Sequence, residues 1–322
     1  MAALPSRILL VVPHPLEDRR GNSRAALRLI RLLQARGVGV EVWNPSAHRA
    51  PPENGRPDLV HGFHLRKGGP PAAQVAARFG VPLVLSARGT DIDHDGTAPT
   101  VRHAALVLVL TEAQREDLLR HYPGAATELV PQGVEECHGE RREEGELVVQ
   151  VGGLRKVKGM WDALSALDRV AARRPGFRYE IAGPALEAEY SESYLRELAE
   201  RPWARYRGEL EPHEVPALYA RARVALNTSV AEGLSNALLE AFACGCPVIA
   251  SNVPGNRAVV EEGVTGLLYG DLAACIERLL DDRVLASRLA AGARHVVRER
   301  FGLGVEAEAY LRAYRRVIGP LA

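Results

Sequence analysis

The hydrophobic positions of this chain form short, nearly continuous Val- and Leu-rich runs, which alternate with longer stretches of helical periodicity. Such runs predict parallel strands, because strands covered on both faces need no polar side chains. In the first half, the predicted strands are Arg7–Val12, Val38–Trp43, Asp58–Phe63, Val81–Ser86 and Ala105–Leu110. The predicted helices are Asn22–Gly37, which has a capping Asn and a terminal Gly, and Thr111–Tyr122.

The same alternation resumes after a polar break at Val134–Glu146, which carries many charges and two glycines and predicts a solvated linker. The strands predicted beyond it are Leu147–Val151, Phe177–Ala182, Val224–Asn227, Pro247–Ala250 and Gly266–Tyr269. The pattern therefore predicts an α/β protein with a first domain at 1–134, a linker at 135–146 and a second domain at 147–302. The amphipathic segment 303–322 has no following strand, and we expect it to pack back across both domains.

The predicted topology also suggests where a ligand binds. Open parallel sheets have a crevice at the C-terminal ends of their strands. The simplest arrangement has the crevice edges of two Rossmann-like β/α/β domains facing across a cleft, with the ligand between them.

Length and charge narrow the possible functions. The chain has 322 residues, more than the roughly 250–300 that usually share one core. Its formal net charge of +1 provides no overall attraction to nucleic acid or to an anionic membrane. No apolar run approaches the roughly 18 residues of a transmembrane segment, and the first apolar run is too short for a signal peptide. We expect a cytoplasmic protein with no nucleic-acid partner, and the sequence leaves its oligomeric state open.

The four cysteines do not suggest a structural framework. Cys137, Cys244, Cys246 and Cys275 lack the spacing of a zinc site, and we expect no disulfide among them. The Cys244-x-Cys246 pair lies in an apolar segment, where small core residues are a more frequent role for cysteine than metal ligation.

The segment Ala231–Ser251 carries the main candidate chemistry. Two glutamates, Glu232 and Glu240, lie on either side of a turn at the predicted start of a helix, and the apolar sequence around Glu240 suggests a buried carboxylate. Free backbone N–H groups at a helix N-terminus bind phosphate; the residues of this turn are Gly233, Leu234, Ser235 and Asn236. The glutamates could accept hydrogen bonds from ribose and sugar hydroxyls, so a sugar linked by diphosphate to ribose fits all three features. Alternatively, Glu232 is solvated and Glu240 pairs with an Arg or Lys.

These residues, followed by Gly-x-Pro-Val-Ile-Ala-Ser and by Val253–Tyr269, resemble the signature of retaining glycosyltransferases of family 4. The resemblance implies a GT-B fold and a metal-independent hexosyltransferase that uses a nucleotide-diphosphate sugar, commonly a UDP-sugar, with an acceptor that the sequence does not identify. It implies no cofactor. It further implies that Glu232 contacts the donor sugar, that Glu240 contacts the ribose, and that the backbone of 233–236 holds the sugar and diphosphate.

The segment Gly152–Gly159, GGLRKVKG, resembles a second motif of that family, G-R-L-x-x-x-K-G. Lys158 matches the family lysine that neutralises the diphosphate. Gly153 stands where the family has arginine, and Arg155 follows two residues later, from where a long guanidinium could still reach a phosphate. The alternative is a solvated basic turn formed by Arg155, Lys156 and Lys158.

The Leu-Arg-x-Val-Lys variant resembles a compact branch of the family that includes glycosyltransferase-1-domain-containing proteins and, more distantly, bacterial selenosugar synthases. First-half segments that are similar to this branch are Arg19–Asn22, His64–Gly69 and Arg88–Asp91. The resemblance implies that Gly21 and Asn22 approach the donor and that His64 lies beside the reacting sugar, although a structural role for His64 is an alternative.

The acceptor side has three candidates, and they are Asp91, Thr90 and Arg66. The D-x-D spacing within Gly89–Asp95 also occurs in metal-dependent transferases. We disfavour a metal site here, because GT-B enzymes neutralise the leaving diphosphate with Arg, Lys and a helix N-terminus.

Two other functions stay open at this point. A GT-B sugar-nucleotide epimerase would bind the same donor and need no acceptor. A catalytically degenerate nucleotide-sugar-binding protein would explain the missing arginine at Gly153. An NAD-dependent enzyme is disfavoured, because neither half has the G-x-G-x-x-G fingerprint after a strand.

Overall fold

The computed structural model describes residues 4–17, 21–47, 50–51, 55–89, 91–92 and 99–319. The chain divides into unit 1, residues 1–133 with 303–322, and unit 2, residues 134–302. Each unit has a six-stranded parallel sheet, which confirms the predicted α/β fold class. The segment predicted as a linker, 135–146, lies within unit 2, and the C-terminal segment lies within unit 1.

The sheet of unit 1 has the strand order β2-β1-β3-β4-β5-β6. Five strands fall where the hydrophobic runs predict them, and β6 was not predicted, because its three residues are only half-buried at the sheet edge. The strands are β1 (Arg7–Val11), β2 (Gly39–Trp43), β3 (Leu59–Phe63), β4 (Leu83–Ser86), β5 (Leu106–Val109) and β6 (Thr127–Leu129).

The helices α1 (Gly21–Gln34), α2 (Gly69–Phe79) and α3 (Glu112–His121) follow β1, β3 and β5. Side chains alternate between the two faces of a strand. Ile8 of β1 accordingly joins the core layer that contains α1, and Leu9 joins the layer that contains α2. The hydroxyl of Thr111 accepts a hydrogen bond from the N–H of Gln114, which caps the N-terminus of α3.

The sheet of unit 2 has the order β12-β11-β10-β7-β8-β9. Its strands are β7 (Glu146–Val151), β8 (Phe177–Ala182), β9 (Ala204–Tyr206), β10 (Val224–Asn227), β11 (Val248–Ser251) and β12 (Leu267–Tyr269). Its helices are α4 (Met160–Arg173), α5 (Ala188–Ala199), α6 (Val215–Arg221), α7 (Asn236–Ala243), α8 (Pro254–Arg257), α9 (Leu272–Asp281) and α10 (Arg283–Arg300). Among the described helices of the chain, none is both long and apolar enough to cross a membrane.

The last helix, α11 (Leu303–Ile318), returns to unit 1 and contacts α1 and β5. Its Tyr314 is fully buried and shares a hydrogen bond of 2.8 Å with Nδ1 of His61 in β3. Nε2 of His61 lies 2.7 Å from the hydroxyl of Ser86 in β4. His61 therefore has a packing role inside the sheet, and α11 completes the core of unit 1.

A disulfide joins Cys137 to Cys244 at the C-terminal end of α7. The expectation that none of the cysteines forms a disulfide is therefore wrong. The pairing was not visible in the sequence, because 107 residues separate the partners and Cys137 lies in a polar segment. Glu143 of the same segment bonds to the buried Arg223 at 2.5 Å, so 135–146 is tied to unit 2 by covalent and ionic contacts.

Candidate active site

The order of strands in unit 2 reverses between β7 and β10, which are parallel neighbours with Val148 opposite Val224. Ligands of open α/β sheets bind at such a reversal, beyond the C-terminal ends of the strands. The segment after β7 runs from Gly152 to Gly159, and the segment after β10 runs from Thr228 to Ser235. Topology therefore brings the two motif-bearing segments of unit 2 to one edge of its sheet.

Lys158 and Glu232 meet at this edge. The ammonium of Lys158 lies 2.5 Å from Oε1 of Glu232, and their side chains are 17% and 11% exposed. The hydroxyl of Ser229 donates a hydrogen bond to the same carboxylate oxygen at 2.7 Å, and Nδ2 of Asn227 lies 3.4 Å from it. The glutamate is therefore held by a cation and two neutral donors while one edge remains accessible.

Backbone contacts fix the two segments together. The hydroxyl of Thr228 donates to the carbonyl of Lys158 at 2.9 Å, and the N–H of Val230 donates to the carbonyl of Val157 at 2.9 Å. A Cβ at Gly159, whose φ is +58°, would lie 2.2 Å from the carbonyl oxygen of Thr228. Only glycine permits this approach.

The N-terminus of α7 lies directly after Glu232. Ser235 is the N-cap residue, and its hydroxyl accepts hydrogen bonds from the N–H of Leu238 at 3.4 Å and from Nδ2 of Asn227 at 2.7 Å. Within the described chain, the N–H groups of Gly233 and Leu234 donate to no other protein group. A helix N-terminus with unpaired N–H groups attracts an anion such as a phosphate, and anion binding at this turn stays a prediction.

Glu240 lies just over one turn inside α7 and is half-buried. The apolar sequence around it suggested a fully buried carboxylate, and that expectation is wrong. The apolar neighbours Leu239, Ala241 and Phe242 face the core, and Glu240 lies on the side of the helix that they leave open.

Gly153 and Arg155 occupy different environments. A Cβ at Gly153 would lie 2.4 Å from Cδ1 of Leu186 and 3.4 Å from the carbonyl of Pro184, so the loop after β8 covers this position. Arg155 is exposed, and its guanidinium bonds to no group in the described part of the chain. The structure therefore brings Lys158 to Glu232 and leaves the side chain of Arg155 free.

In unit 1, His64 follows β3 and adopts a left-handed conformation with a φ of +83°. Its Nδ1 lies 3.4 Å from Oδ2 of Asp91 and 3.4 Å from the backbone N–H of Lys67. Burial, together with the nearby charges of Lys67 and of other basic groups, lowers the pKa of His64 to about 4. His64 is therefore a neutral imidazole at pH 7, held in place by the loops after β3 and β4.

Asp91 is only 2% exposed. Its Oδ2 accepts a hydrogen bond from the N–H of Leu65 at 2.8 Å, and its Oδ1 accepts one from the N–H of Arg88 at 2.6 Å. Burial raises the pKa of Asp91 to about 7, although both backbone bonds and Arg88 act in the opposite direction. The carboxyl group therefore links the loops that follow β3 and β4.

The remaining candidates of unit 1 lie around the same strand ends. Gly21 and Asn22 are the first two residues of α1, and Arg66 is exposed beside His64. Thr90 lies outside the described residues, as do Asp93 and Asp95 of the D-x-D spacing. Among the residues that the structure describes, no three His, Cys, Asp or Glu side chains form a group that could hold a metal ion.

A model of the family described as glycosyl transferases group 1 matches residues 145–282. The matched residues lie within unit 2. A glycogen synthase of Mycobacterium tuberculosis is 27% identical over 285 residues, which cover 80% of this chain and 69% of that protein. Glycosyltransferase 1 domain-containing protein 1 of Xenopus tropicalis is 27% identical over 167 residues, which cover 51% of this chain and 48% of that protein, about half its length.

The structure of Anabaena HepE, solved in complex with UDP and glucose, is similar over 95% of this chain and 98% of that chain. The TM-score is 0.78 at 19% sequence identity. This likeness confirms the predicted GT-B fold class.

Sequence reasoning missed four residues that shape the surroundings of Glu232. Asn227 and Ser229 bond to the carboxylate, and a Cβ at Gly255 would lie 2.1 Å from the carbonyl oxygen of Glu232. Asn256 donates to Oδ1 of Asn227 at 3.3 Å and so supports it from the core. The available signal was position, because Asn227 is the last residue of a predicted strand that ends at the crevice.

Proposed function

We propose that the protein is a retaining, metal-independent glycosyltransferase that transfers a hexosyl group from a UDP-sugar to an acceptor. The observation that carries the proposal is the Lys158–Glu232 pair beside the N-terminus of α7, at the point where the strand order reverses. This arrangement combines a cation, free N–H donors and a carboxylate that can accept hydrogen bonds from hydroxyl groups, all within the segment that matches the group 1 glycosyltransferase model. The UDP and glucose bound to Anabaena HepE support the choice of donor.

The reaction breaks the bond between the anomeric carbon of the sugar and the β-phosphate oxygen, and the electron pair remains on the diphosphate. Lys158 and the N–H groups of Gly233 and Leu234 stabilise the charge that develops there. The free guanidinium of Arg155 adds a second cation from the same segment. In many enzymes, positioned charges of this kind contribute the largest part of the rate acceleration.

The acceptor oxygen forms the new bond to the anomeric carbon on the face that the diphosphate leaves. Its proton passes to the departing phosphate oxygen, so the configuration is retained without an enzyme nucleophile. Glu232 binds hydroxyls of the donor sugar, and Glu240 binds the ribose. Ser235 and Asn236 complete the turn around the diphosphate, and the backbone of Gly153 borders it.

Unit 1 supplies the acceptor side. The neutral imidazole of His64 can donate or accept a hydrogen bond at a sugar hydroxyl, since its low pKa keeps it uncharged. Gly21 and Asn22 at the start of α1 and Arg66 beside His64 are further candidates of this unit for contacts with a substrate. Asp91 acts through the loop that holds His64, because backbone N–H groups occupy both of its oxygens.

A thermal-shift comparison of UDP, GDP and ADP, followed by mass analysis of products from the matching nucleotide sugars, tests the proposal. We expect UDP to raise the Tm. With EDTA present throughout, we expect UDP to be released from the UDP-sugar only when the sugar is transferred or hydrolysed. Conversion of the UDP-sugar into an isomeric UDP-sugar would instead identify an epimerase. Stabilisation by UDP without any turnover would contradict the enzyme assignment.

A further inference from the structure

A second pocket in unit 2 lies between the N-terminal turns of α4 and α5 and has a volume of about 640 Å³. This volume is within the range of small-molecule sites. Two aromatic side chains, Trp161 and Tyr190, line it together with charged groups at the rim. The charged groups are Lys156, Asp162, Glu187 and Glu189.

The aromatic wall is held in place from behind. The backbone N–H of Trp161 donates to the hydroxyl of Tyr190 at 3.2 Å. The ring of Tyr190 stacks on that of the buried Tyr194, with centroids 6.2 Å apart and an angle of 4° between the planes. The indole of Trp161 lies 6.1 Å from the ring of Tyr194 and is nevertheless 39% exposed. A large, supported apolar face open to solvent is characteristic of a binding surface.

The charged groups around this wall can form hydrogen bonds with a ligand that has many hydroxyl groups. Glu187 already accepts a hydrogen bond from the N–H of Lys156 at 2.9 Å. Asp162 and Glu189 are exposed in the first turns of α4 and α5, and each can accept hydroxyl protons. The ammonium of Lys156 is a hydrogen-bond donor in the same pocket. A sugar ring matches this wall, because it has an apolar face of C–H groups and a periphery of hydroxyls.

We propose that this pocket is a saccharide-binding site, separate from the Lys158–Glu232 site. One short turn, Lys156–Lys158, connects them: Lys158 bonds to Glu232, and Lys156 lines the pocket. A saccharide bound against Trp161 therefore lies next to the segment that holds the donor. The binding of a saccharide in this pocket does not depend on the proposed function. A role of the pocket in anchoring a saccharide acceptor does rest on it.

Isothermal titration calorimetry with tetrasaccharides of glucose, mannose and N-acetylglucosamine tests the site. We expect at least one to bind the full chain with a Kd in the millimolar range or below, with a change in tryptophan fluorescence. Trp161→Ala should weaken that binding at least tenfold, and Glu189→Gln, which keeps the aromatic wall, should weaken it severalfold. Val284→Ala removes an apolar side chain that is 82% exposed on α10, and it should leave binding unchanged.

The thermal shift with UDP separates this proposal from the proposed function. Trp161→Ala should keep the stabilisation by UDP, and Lys158→Ala should lose it while it retains saccharide binding. Saccharide binding without any effect of UDP would support the pocket and contradict the transferase. Three results would overturn the pocket: no tetrasaccharide binds the wild type, Trp161→Ala binds as well as the wild type, or tetramethylammonium binds in place of the saccharides.

Discussion

The ammonium of Lys158 and Oε1 of Glu232 lie 2.5 Å apart, so the cation and the carboxylate neutralise each other. Under the proposed function, a diphosphate competes with Glu232 for the same ammonium. Charge-assisted hydrogen bonds contribute more binding free energy than neutral ones. Affinity for the ligand and turnover should therefore respond differently to substitution of Lys158 and to substitution of Glu232.

Replacement of Lys158 tests the contribution of the cation to UDP binding. Lys158→Met should weaken UDP binding about 10- to 100-fold, since a hydrogen bond to a charged group contributes about 1.5–3 kcal/mol. Titration calorimetry measures the change. Arg173→Met removes one charge from an exposed ion pair with Glu277 on the same unit and is the matched control. Equal affinity of the Lys158 variant and the control would show that the ammonium does not contact the ligand.

Gly255 tests the packing behind the glutamate loop. A Cβ there would lie 2.1 Å from the carbonyl oxygen of Glu232, so Gly255→Ala must displace the backbone of that residue. We expect UDP binding to weaken at least tenfold and the Tm to fall by several degrees. A Cβ at Gly270 would meet no atom within 4 Å, so Gly270→Ala is the control. A Gly255→Ala protein that binds UDP normally would contradict the described position of the loop.

The disulfide between Cys137 and Cys244 should stabilise unit 2. Its partners are 107 residues apart, and a loop of roughly 100 residues corresponds to about 4–5 kcal/mol in the chain-entropy model. Reduction should therefore lower the Tm of unit 2 by roughly 10 °C, as measured by calorimetry with and without dithiothreitol. Cys137→Ser should show the lower Tm in both conditions, and Cys275→Ser should behave like the wild type. Insensitivity of the wild type to reduction would contradict the prediction.

Three buried groups should make the stability of unit 1 depend on pH. His61 and His64 have pKa values lowered to about 3 and about 4 by burial. Between about pH 4 and 6.5, the unfolded chain therefore binds up to two more protons at these histidines than the folded chain, and stability falls as the pH falls through this range. Asp91, with a pKa raised to about 7, retains a proton in the folded state and opposes this effect between pH 4 and 7. The net slope is about 1 kcal/mol per pH unit near pH 5.

The variant Asp91→Asn isolates one of these contributions. Without the carboxyl group, only the histidines titrate, and the slope should rise to about 2.5 kcal/mol per pH unit near pH 5. Urea unfolding at several pH values measures both slopes. Equal slopes for the two proteins would mean that Asp91 is ionised in the folded state at this pH.

Much of the fold could be predicted, because buried parallel strands leave a strong hydrophobic signal. The five strands predicted in each half are present, whereas β6 and β9 were missed. Both are three-residue strands at the edge of a sheet, and their residues are half-buried or exposed. The disulfide was missed because no local pattern connects Cys137 to Cys244. The burial of Glu240 was overestimated, because apolar neighbours in a helix do not show which face a residue occupies.

The site could be predicted only in part. Sequence spacing identified Lys158 and Glu232 separately, and topology was needed to show that they bond to each other. The roles of Asn227 and Ser229 depend on the reversal of strand order, which a sequence does not display. The proximity of Gly153 to Leu186 arises from the loop after β8, so it too required the fold.

The most direct test of the central claim is the release of UDP from a UDP-sugar by the wild type and by Glu232→Gln, measured alongside their affinities for UDP. Glutamine keeps the shape of the side chain and frees Lys158 for the diphosphate. We predict that Glu232→Gln binds UDP at least as tightly as the wild type and releases it at least 100-fold more slowly, a loss of about 3 kcal/mol of transition-state stabilisation. Undiminished release by both Glu232→Gln and Lys158→Met would contradict the account.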